Sequence, residues 1–117
     1  VTPTPLATTL PLDTTQNNSL VADVSAKWNT LNGVRISVSS ANAGQLQHDS
    51  VATSVISYTL QAGAQNINLS SPQDFDFPIA GPQSGSQALG INYTGISYDL
   101  LLEGDYTDTV TFTISAL

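Results

Sequence analysis

Apolar and polar residues alternate along much of the chain with the two-residue period of strands that bury one face. In an early segment the even-numbered positions from Leu20 to Trp28 are all apolar. In the last segment, residues 109–116, the even-numbered positions are apolar and every odd-numbered position carries a hydroxyl. Both segments are therefore predicted to be half-buried strands, and the last one has the more regular pattern.

The same alternation, together with β-branched and aromatic residues, predicts further strands between these two segments. They cover residues 34–39, 51–60, 75–79 and 96–102, with a short strand near 67–69. The Asn-Gly pair within 29–33 predicts a tight turn joining the first two strands, and 39–46 and 81–87 are predicted to be a turn and a flexible loop. Seven or so strands without a helical stripe indicate an all-β sandwich.

The chain divides into an extended N-terminal segment, residues 1–18, and a sandwich domain, residues 19–117. The first twelve residues contain three prolines, which favour extended backbone and exclude the interior of a sheet. Leu6, Leu10 and Leu12 lie at positions of the same parity, so a short edge strand is also compatible with this segment.

The composition excludes several classes of function. Ser, Thr, Asn and Gln make up 44 of the 117 residues, only two residues are Lys or Arg, and the net charge is −7, so no basic surface exists for nucleic acid. The absence of Cys removes disulfides and thiolate sites, and no apolar run has the length of a membrane span. A chain that begins at Val1 and lacks Met fits a processed, exported protein or an excised domain.

Residues that could carry chemistry are few. His48 is the single histidine and lies in a polar stretch beside Asp49 and Ser50, where neighbouring side chains point in opposite directions, so we expect an exposed loop histidine. The acidic residues near 74–76 and 103–108 do not have the spacing of a metal-binding loop. The sequence therefore predicts no enzyme, and no catalytic, metal or cofactor site.

The last strand has an unusual feature for a chain terminus. From Thr109 to Leu117 it contains no Lys, Pro or Gly, the residues that natural proteins use to keep strand edges from pairing. We therefore expect it to be paired, either within the sheet or with a strand of another chain. Tyr106, which precedes it and has the parity of Val110, fits a structural corner tyrosine with a buried ring and a hydroxyl bonded to backbone.

These residues resemble a known family. The ending Gly104-Asp105-Tyr106-Thr107-Asp108, followed by the alternating run to Ser115, is similar to the C-terminal strand of chaperone–usher pilus (fimbrial) subunits. The stretch from Ala22 to Leu46 and the segment Ile56–Leu60 resemble the spore-coat-U-like branch of that family. The likeness covers roughly residues 20–117.

The resemblance implies an immunoglobulin-like sandwich that lacks its seventh strand. A periplasmic chaperone would first supply that strand, and a neighbouring subunit would replace it at the outer-membrane usher, giving a homo- or hetero-polymer on the cell surface. The groove for the donor strand would then be bordered by the core face of the last strand: Val110, Phe112 and Ile114.

The prolines of the N-terminal segment depart from the family pattern, because donor extensions usually lack proline. Residues 1–12 could thus be a donor strand, a linker or an edge strand. Two other functions therefore stay open: the pilin domain of a two-domain tip adhesin, which accepts a strand and donates none, and a self-sufficient glycan-binding sandwich that uses Tyr93 and the loop 81–95.

Overall fold

The computed structural model describes residues 1–5 and 10–117, and within them the chain forms strands and turns but no helix. This confirms the all-β class predicted from the alternation. The strands are β1 Thr2–Pro5, β2 Gln16–Trp28, β3 Val34–Ser40, β4 Gln45–His48, β5 Val55–Ala62, β6 Gln65–Ile67, β7 Gln73–Phe77, β8 Gln83–Tyr93, β9 Tyr106–Thr107 and β10 Val110–Ala116.

The strands form two antiparallel sheets. The large sheet has the order β1-β2-β8-β5-β4-β9, with β6 added to β5, and the small sheet has the order β10-β3-β7. One buried cluster joins them, since Val38 of the small sheet packs with residues of the large sheet such as Leu60 and Leu89. This two-layer arrangement is consistent with a β-sandwich.

The prediction that Leu20 lies on the buried face of its strand was wrong, because β2 contains a β-bulge. Leu20 is opposite Gly90 and Ala22 is opposite Leu89, so Val21 is an extra residue on β2. An extra residue reverses the alternation. Val21 and Val24 therefore pack against the core, whereas Leu20 points outward and is about half exposed.

The turn at residues 29–33 does not join two neighbouring strands. β2 belongs to the large sheet and β3 to the small one, so this connection crosses between the sheets. Gly33 has a φ of 93°, as expected for the Asn-Gly pair, and its backbone lies against that of Phe77 and Ile79, leaving no room for a Cβ atom.

Two other predictions were wrong. The predicted flexible loop 81–87 contains the first half of β8, which pairs with β2 from Gln83↔Trp28 onward. The predicted strand 96–102 is instead a turn region, in which the amides of Leu100 and Leu101 donate to the Ser97 carbonyl. Of its alternating apolar side chains, Ile96 packs against the core, whereas Tyr98, Leu100 and Leu102 are exposed, so they do not form one strand face.

The N-terminal segment contacts its own domain at two places. β1 is the edge strand of the large sheet and pairs with β2 from Thr2↔Ser25 to Pro5↔Ala22. Leu10 and Leu12 pack against the core. Leu6, which the sequence placed with them, lies outside the described residues.

Candidate strand-acceptor edge

The last strand, β10, lies at an edge of the small sheet. Within residues 1–5 and 10–117 it pairs with β3 alone, in an uninterrupted register from Val110↔Ser40 to Ala116↔Val34. Its other edge has no strand partner in that part of the chain. This is the place where the sequence predicted that an unguarded strand would need a partner.

The register shows which backbone groups face this free edge. Ala41 donates to the Thr109 carbonyl at 2.9 Å, and Leu117 donates to the Gly33 carbonyl at 3.0 Å, so the odd-numbered residues at both ends of β10 bond toward β3. In an antiparallel ladder the bonded positions alternate along the strand. The N–H and C=O groups of the even-numbered residues therefore point away from β3, and these residues are Val110, Phe112, Ile114 and Ala116.

The same even-numbered residues carry the apolar side chains on the inner face. Val110, Phe112 and Ile114 are each half-buried, and the first two pack against the core cluster. Half-burial of three large apolar side chains in an edge strand leaves apolar surface that a neighbouring strand could cover. An incoming strand would meet free backbone groups and partly covered apolar side chains at the same residues.

An open, mostly apolar cleft of about 470 Å³ lies between the sheets. Of the three predicted groove residues only Phe112 lines it, together with Val38 and Phe75 of the small sheet and Trp28 of the large sheet. Residues 83–87 of β8 also line it at consecutive positions, so the cleft follows the part of β8 that extends beyond β5. The sheets are thus incompletely packed at the end of the sandwich where Trp28 lies.

The opposite edge of the small sheet differs in character from β10. β7 bonds to β3 through Gln73, Phe75 and Phe77, because the odd-numbered residues of β3 already bond to β10. The outward backbone of β7 therefore belongs to Asp74 and Asp76. Charged residues at an edge discourage strand pairing, and β10 has none.

Both carboxylates of β7 are also engaged on the outer face of the sheet. Asp76 forms a bidentate ion pair with Arg35, with distances of 2.7 and 3.0 Å, and Asp74 accepts a hydrogen bond of 2.6 Å from the Ser37 hydroxyl. The hydrogen bond from Arg35 lowers the pKa of the Asp76 carboxyl. The large sheet is guarded in another way, since its edge strand β1 contains Pro3 and Pro5.

Asp108 holds the start of β10 in place, a role that was not predicted from the sequence. Its carboxylate accepts a hydrogen bond of 2.5 Å from the Tyr58 hydroxyl, another from the Ser40 hydroxyl, and backbone N–H bonds from Asn42 and Thr109. Burial, followed by this contact, raises the pKa of the Tyr58 hydroxyl. A signal was present in the sequence, because an Asp directly before a strand commonly caps a turn.

Tyr106, which lies shortly before β10 in the chain, contacts His48. The Tyr106 hydroxyl donates to the Leu102 carbonyl at 2.9 Å, and its ring meets the His48 ring edge-on with centroids 5.2 Å apart. The expectation of an exposed loop histidine was wrong: His48 lies in β4 and is 7% exposed. Its Nδ1 accepts the amides of Ser50 and Val51, so the ring organises the 48–51 turn.

The glycan-binding alternative uses Tyr93 as a contact residue, and the structure buries this side chain. Tyr93 ends β8 with 5% of its surface exposed, and its hydroxyl donates to the Pro11 carbonyl at 2.9 Å. Burial raises the pKa of this hydroxyl. The ring is therefore a core residue that anchors the N-terminal segment.

Trp28, the last of the even-numbered apolar residues of β2, is only partly covered by the core. It is half-buried at the end of β2, its Nε1 donates to the Ile79 carbonyl at 2.9 Å, and its ring lies 6.1 Å from that of Phe77. The two aromatic rings border the open end of the cleft.

Two further features are absent from residues 1–5 and 10–117. No helix there is long and apolar enough to cross a membrane. In the same residues no group of three or more His, Asp or Glu side chains is placed to hold a metal ion. Comparison of the chain with protein-family models, characterised proteins and solved structures gives no match.

Proposed function

We propose that the chain is a structural subunit of a bacterial surface pilus, assembled by donor-strand complementation through the chaperone–usher pathway. The observation that carries the proposal is the free edge of β10, which contains no charged residue, Pro or Gly and presents its backbone at the residues with inward apolar side chains. On this proposal the fold is an immunoglobulin-like sandwich whose missing strand comes from another chain.

The geometry of β10 specifies what kind of strand fits. Residues directly opposite each other in adjacent strands lie on the same face of a sheet. Donor residues opposite Phe112 and Ile114 would thus point inward and need apolar side chains, whereas those opposite Thr111 and Thr113 would face solvent. An alternating apolar and polar segment without proline meets both requirements.

The family resemblance supplies the partners of this proposal: a periplasmic chaperone that first occupies the edge, an outer-membrane usher, and neighbouring subunits at the cell surface. The chaperone and the neighbouring subunit would use the same edge in turn, because β-strand addition uses backbone groups as well as side chains. No enzymatic activity is part of the proposal.

A second function is supported by the N-terminal segment. Leu10 and Leu12 pack against the core of their own domain, the Tyr93 hydroxyl holds the Pro11 carbonyl, and Pro3 and Pro5 weaken this segment as a donor. A chain that accepts a strand and donates none would be the pilin domain of a two-domain tip adhesin. Strand acceptance at β10 is common to both functions.

The test is thermal unfolding of the purified chain with added peptides. One peptide copies residues 109–117, an alternating segment without proline; a second copies residues 1–12; a scrambled version of the first is the control. We expect the alternating peptide to raise the melting temperature, and to raise it further with the logarithm of its concentration, because a ligand of the folded state stabilises it by mass action. A gain with the second peptide supports the donating subunit, and its absence supports the adhesin domain.

A stable monomer whose melting temperature responds to neither peptide would refute the proposal. A gain of equal size with the scrambled control would also refute it, because unspecific binding to apolar surface does not depend on alternation.

A further inference from the structure

The two ends of the sandwich differ in charge and both expose apolar side chains. β2 and β8, of 13 and 11 residues, are long enough to span about 40 Å at the usual rise of a strand, so they run along the 54 Å dimension of the molecule. One end of these strands carries Gln16 and Tyr93, and the other carries Trp28 and Gln83.

We call the first end the acidic end, defined by Asp49, Tyr98, Asp99, Leu100 and Glu103. The turn region after β8 presents Tyr98 and Leu100, which are 83% and 80% exposed, with the exposed carboxylates of Asp99 and Glu103 beside them in the chain. Isolated exposed leucines are common on proteins, but neighbouring large apolar residues in one turn are a feature of contact surfaces.

We call the other end the Lys27 end, defined by Lys27, Trp28, Leu31, Phe77 and Ile79. Leu31 is 91% exposed, and Ile79 and Phe77 are also exposed. The backbone holds them together, since Gly81 donates to the Thr30 carbonyl at 2.9 Å and Trp28 Nε1 donates to that of Ile79.

The charges of the two ends are complementary. Lys27 lies beside Trp28 in a shallow hollow with Pro82 and Ser84, and it has no ion-pair partner within residues 1–5 and 10–117. Arg35, which with Lys27 makes up the Lys and Arg residues of the chain, is already paired with Asp76. The free ammonium group and the exposed carboxylates of the acidic end are therefore at opposite ends of one elongated molecule.

We propose that the acidic end of one copy of this chain binds the Lys27 end of the next copy. Tyr98 and Leu100 would pack against Leu31 and Ile79, with the carboxylates beside them facing Lys27. A contact between two different surfaces of identical copies is heterologous and does not close on itself unless a rotation brings the ends together, so it extends into a filament. The contact uses none of the β10 edge and is thus independent of strand donation.

The experiment is sedimentation of the purified chain over a range of concentrations at low and high NaCl. We expect the average mass to keep rising with concentration at low salt and to fall at high salt, because exposed charge pairs are screened. The variants Lys27→Glu and Asp99→Lys with Glu103→Lys should each associate on the order of fivefold more weakly, the range of exposed ion pairs. An equimolar mixture of the two variants should recover association.

Two substitutions serve as a matched pair for the apolar part of the contact. Leu100→Ser should weaken association, whereas Leu20→Ser should leave it unchanged, because Leu20 is exposed on β2 between the two ends. Ile114→Pro, which alters the β10 edge, should also leave end-to-end association unchanged, and this separates the contact from strand exchange.

Three results would overturn the proposal. They are a chain that stays monomeric at the highest concentration and lowest salt, a mass that reaches a plateau at a dimer, and a mixture of the charge variants that associates no better than either alone. If the unmodified chain associates end to end but does not bind the alternating peptide, strand acceptance alone is refuted.

Discussion

The Ile114→Pro substitution tests whether the outer edge of β10 receives a strand. The Ile114 amide points away from β3, so proline removes a donor that only an incoming strand would use. One hydrogen bond contributes about 1 kcal/mol net, which corresponds to about a fivefold increase in the dissociation constant of a bound strand. The proline ring at the edge adds a steric barrier, so fivefold is the smallest effect that we expect.

Two companion variants separate the backbone effect from other effects. Ile114→Ala removes much of the same apolar side chain but keeps the amide, so the difference between Ala and Pro isolates the edge. Thr113→Pro removes an amide that bonds to β3 and leaves the acceptor carbonyl without a partner, which together with the proline ring in the ladder should cost about 3 kcal/mol of folding free energy, the upper end for an unsatisfied backbone group. At about 4 °C per kcal/mol for a domain of this size, its melting temperature should fall by roughly 12 °C.

The assay is calorimetric titration of the alternating peptide into each folded variant, with the melting temperature of each free variant measured alongside. We expect Ile114→Pro to bind the peptide at least about fivefold more weakly than Ile114→Ala, while unfolding near the same temperature. Equal peptide affinity for these two variants would refute the assignment of the edge. An equal decrease in melting temperature in Thr113→Pro and Ile114→Pro would refute the assignment of odd-numbered amides to β3 and of even-numbered amides to the free edge.

Three further predictions concern the framework around this edge. Asp108→Asn should lower the free energy of unfolding by about 2 kcal/mol, measured by urea denaturation, whereas the exposed Asp105→Asn should change it little. Because the folded-state pKa of Tyr58 lies above the ordinary value of 10.0, stability should be complete below that pH and fall above it, and Tyr58→Phe should flatten this fall in urea titrations across alkaline pH. Gly33→Ala should lower the melting temperature through its positive φ and lack of space, whereas Gly85→Ala, with open space around it, should not.

The strands that the sequence predicted well are those whose two faces differ most. β3 up to Ser39 and all of β10 alternate without interruption, because one face packs on the core and the other carries hydroxyl or charged side chains. The first half of β8 was missed for the opposite reason. Gln83 to Gln87 have no buried side chain, since they border an open cleft, so their composition is that of a loop.

The remaining wrong predictions arose because local patterns do not contain all the information that determines the fold. Alternation assigns a face to each residue but does not identify the neighbouring strand, so the crossing of 29–33 between sheets could not be predicted. The bulge at Val21 moves Leu20 to the outer face without any local signal. The alternation at 96–102 misled because Tyr98 and Leu100 are apolar but exposed, and exposure is a tertiary property.

The candidate site could be predicted from the sequence in its chemistry but not in its geometry. The absence of Lys, Pro and Gly after Thr109 indicated an unguarded strand, yet only the register with β3 shows which backbone groups are free. That register matters because Phe112 and Ile114 present both an inward apolar side chain and an outward backbone. If the odd-numbered residues faced the edge instead, an incoming strand would form its hydrogen bonds at the hydroxyl residues. Its apolar side chains would then contact the inner face only at the residues that lie between those bonds. With the observed parity, bonding and apolar contact occur at the same residue pairs, so a strand of the right alternation gains both together, whereas a scrambled one forms backbone bonds without the full apolar contact.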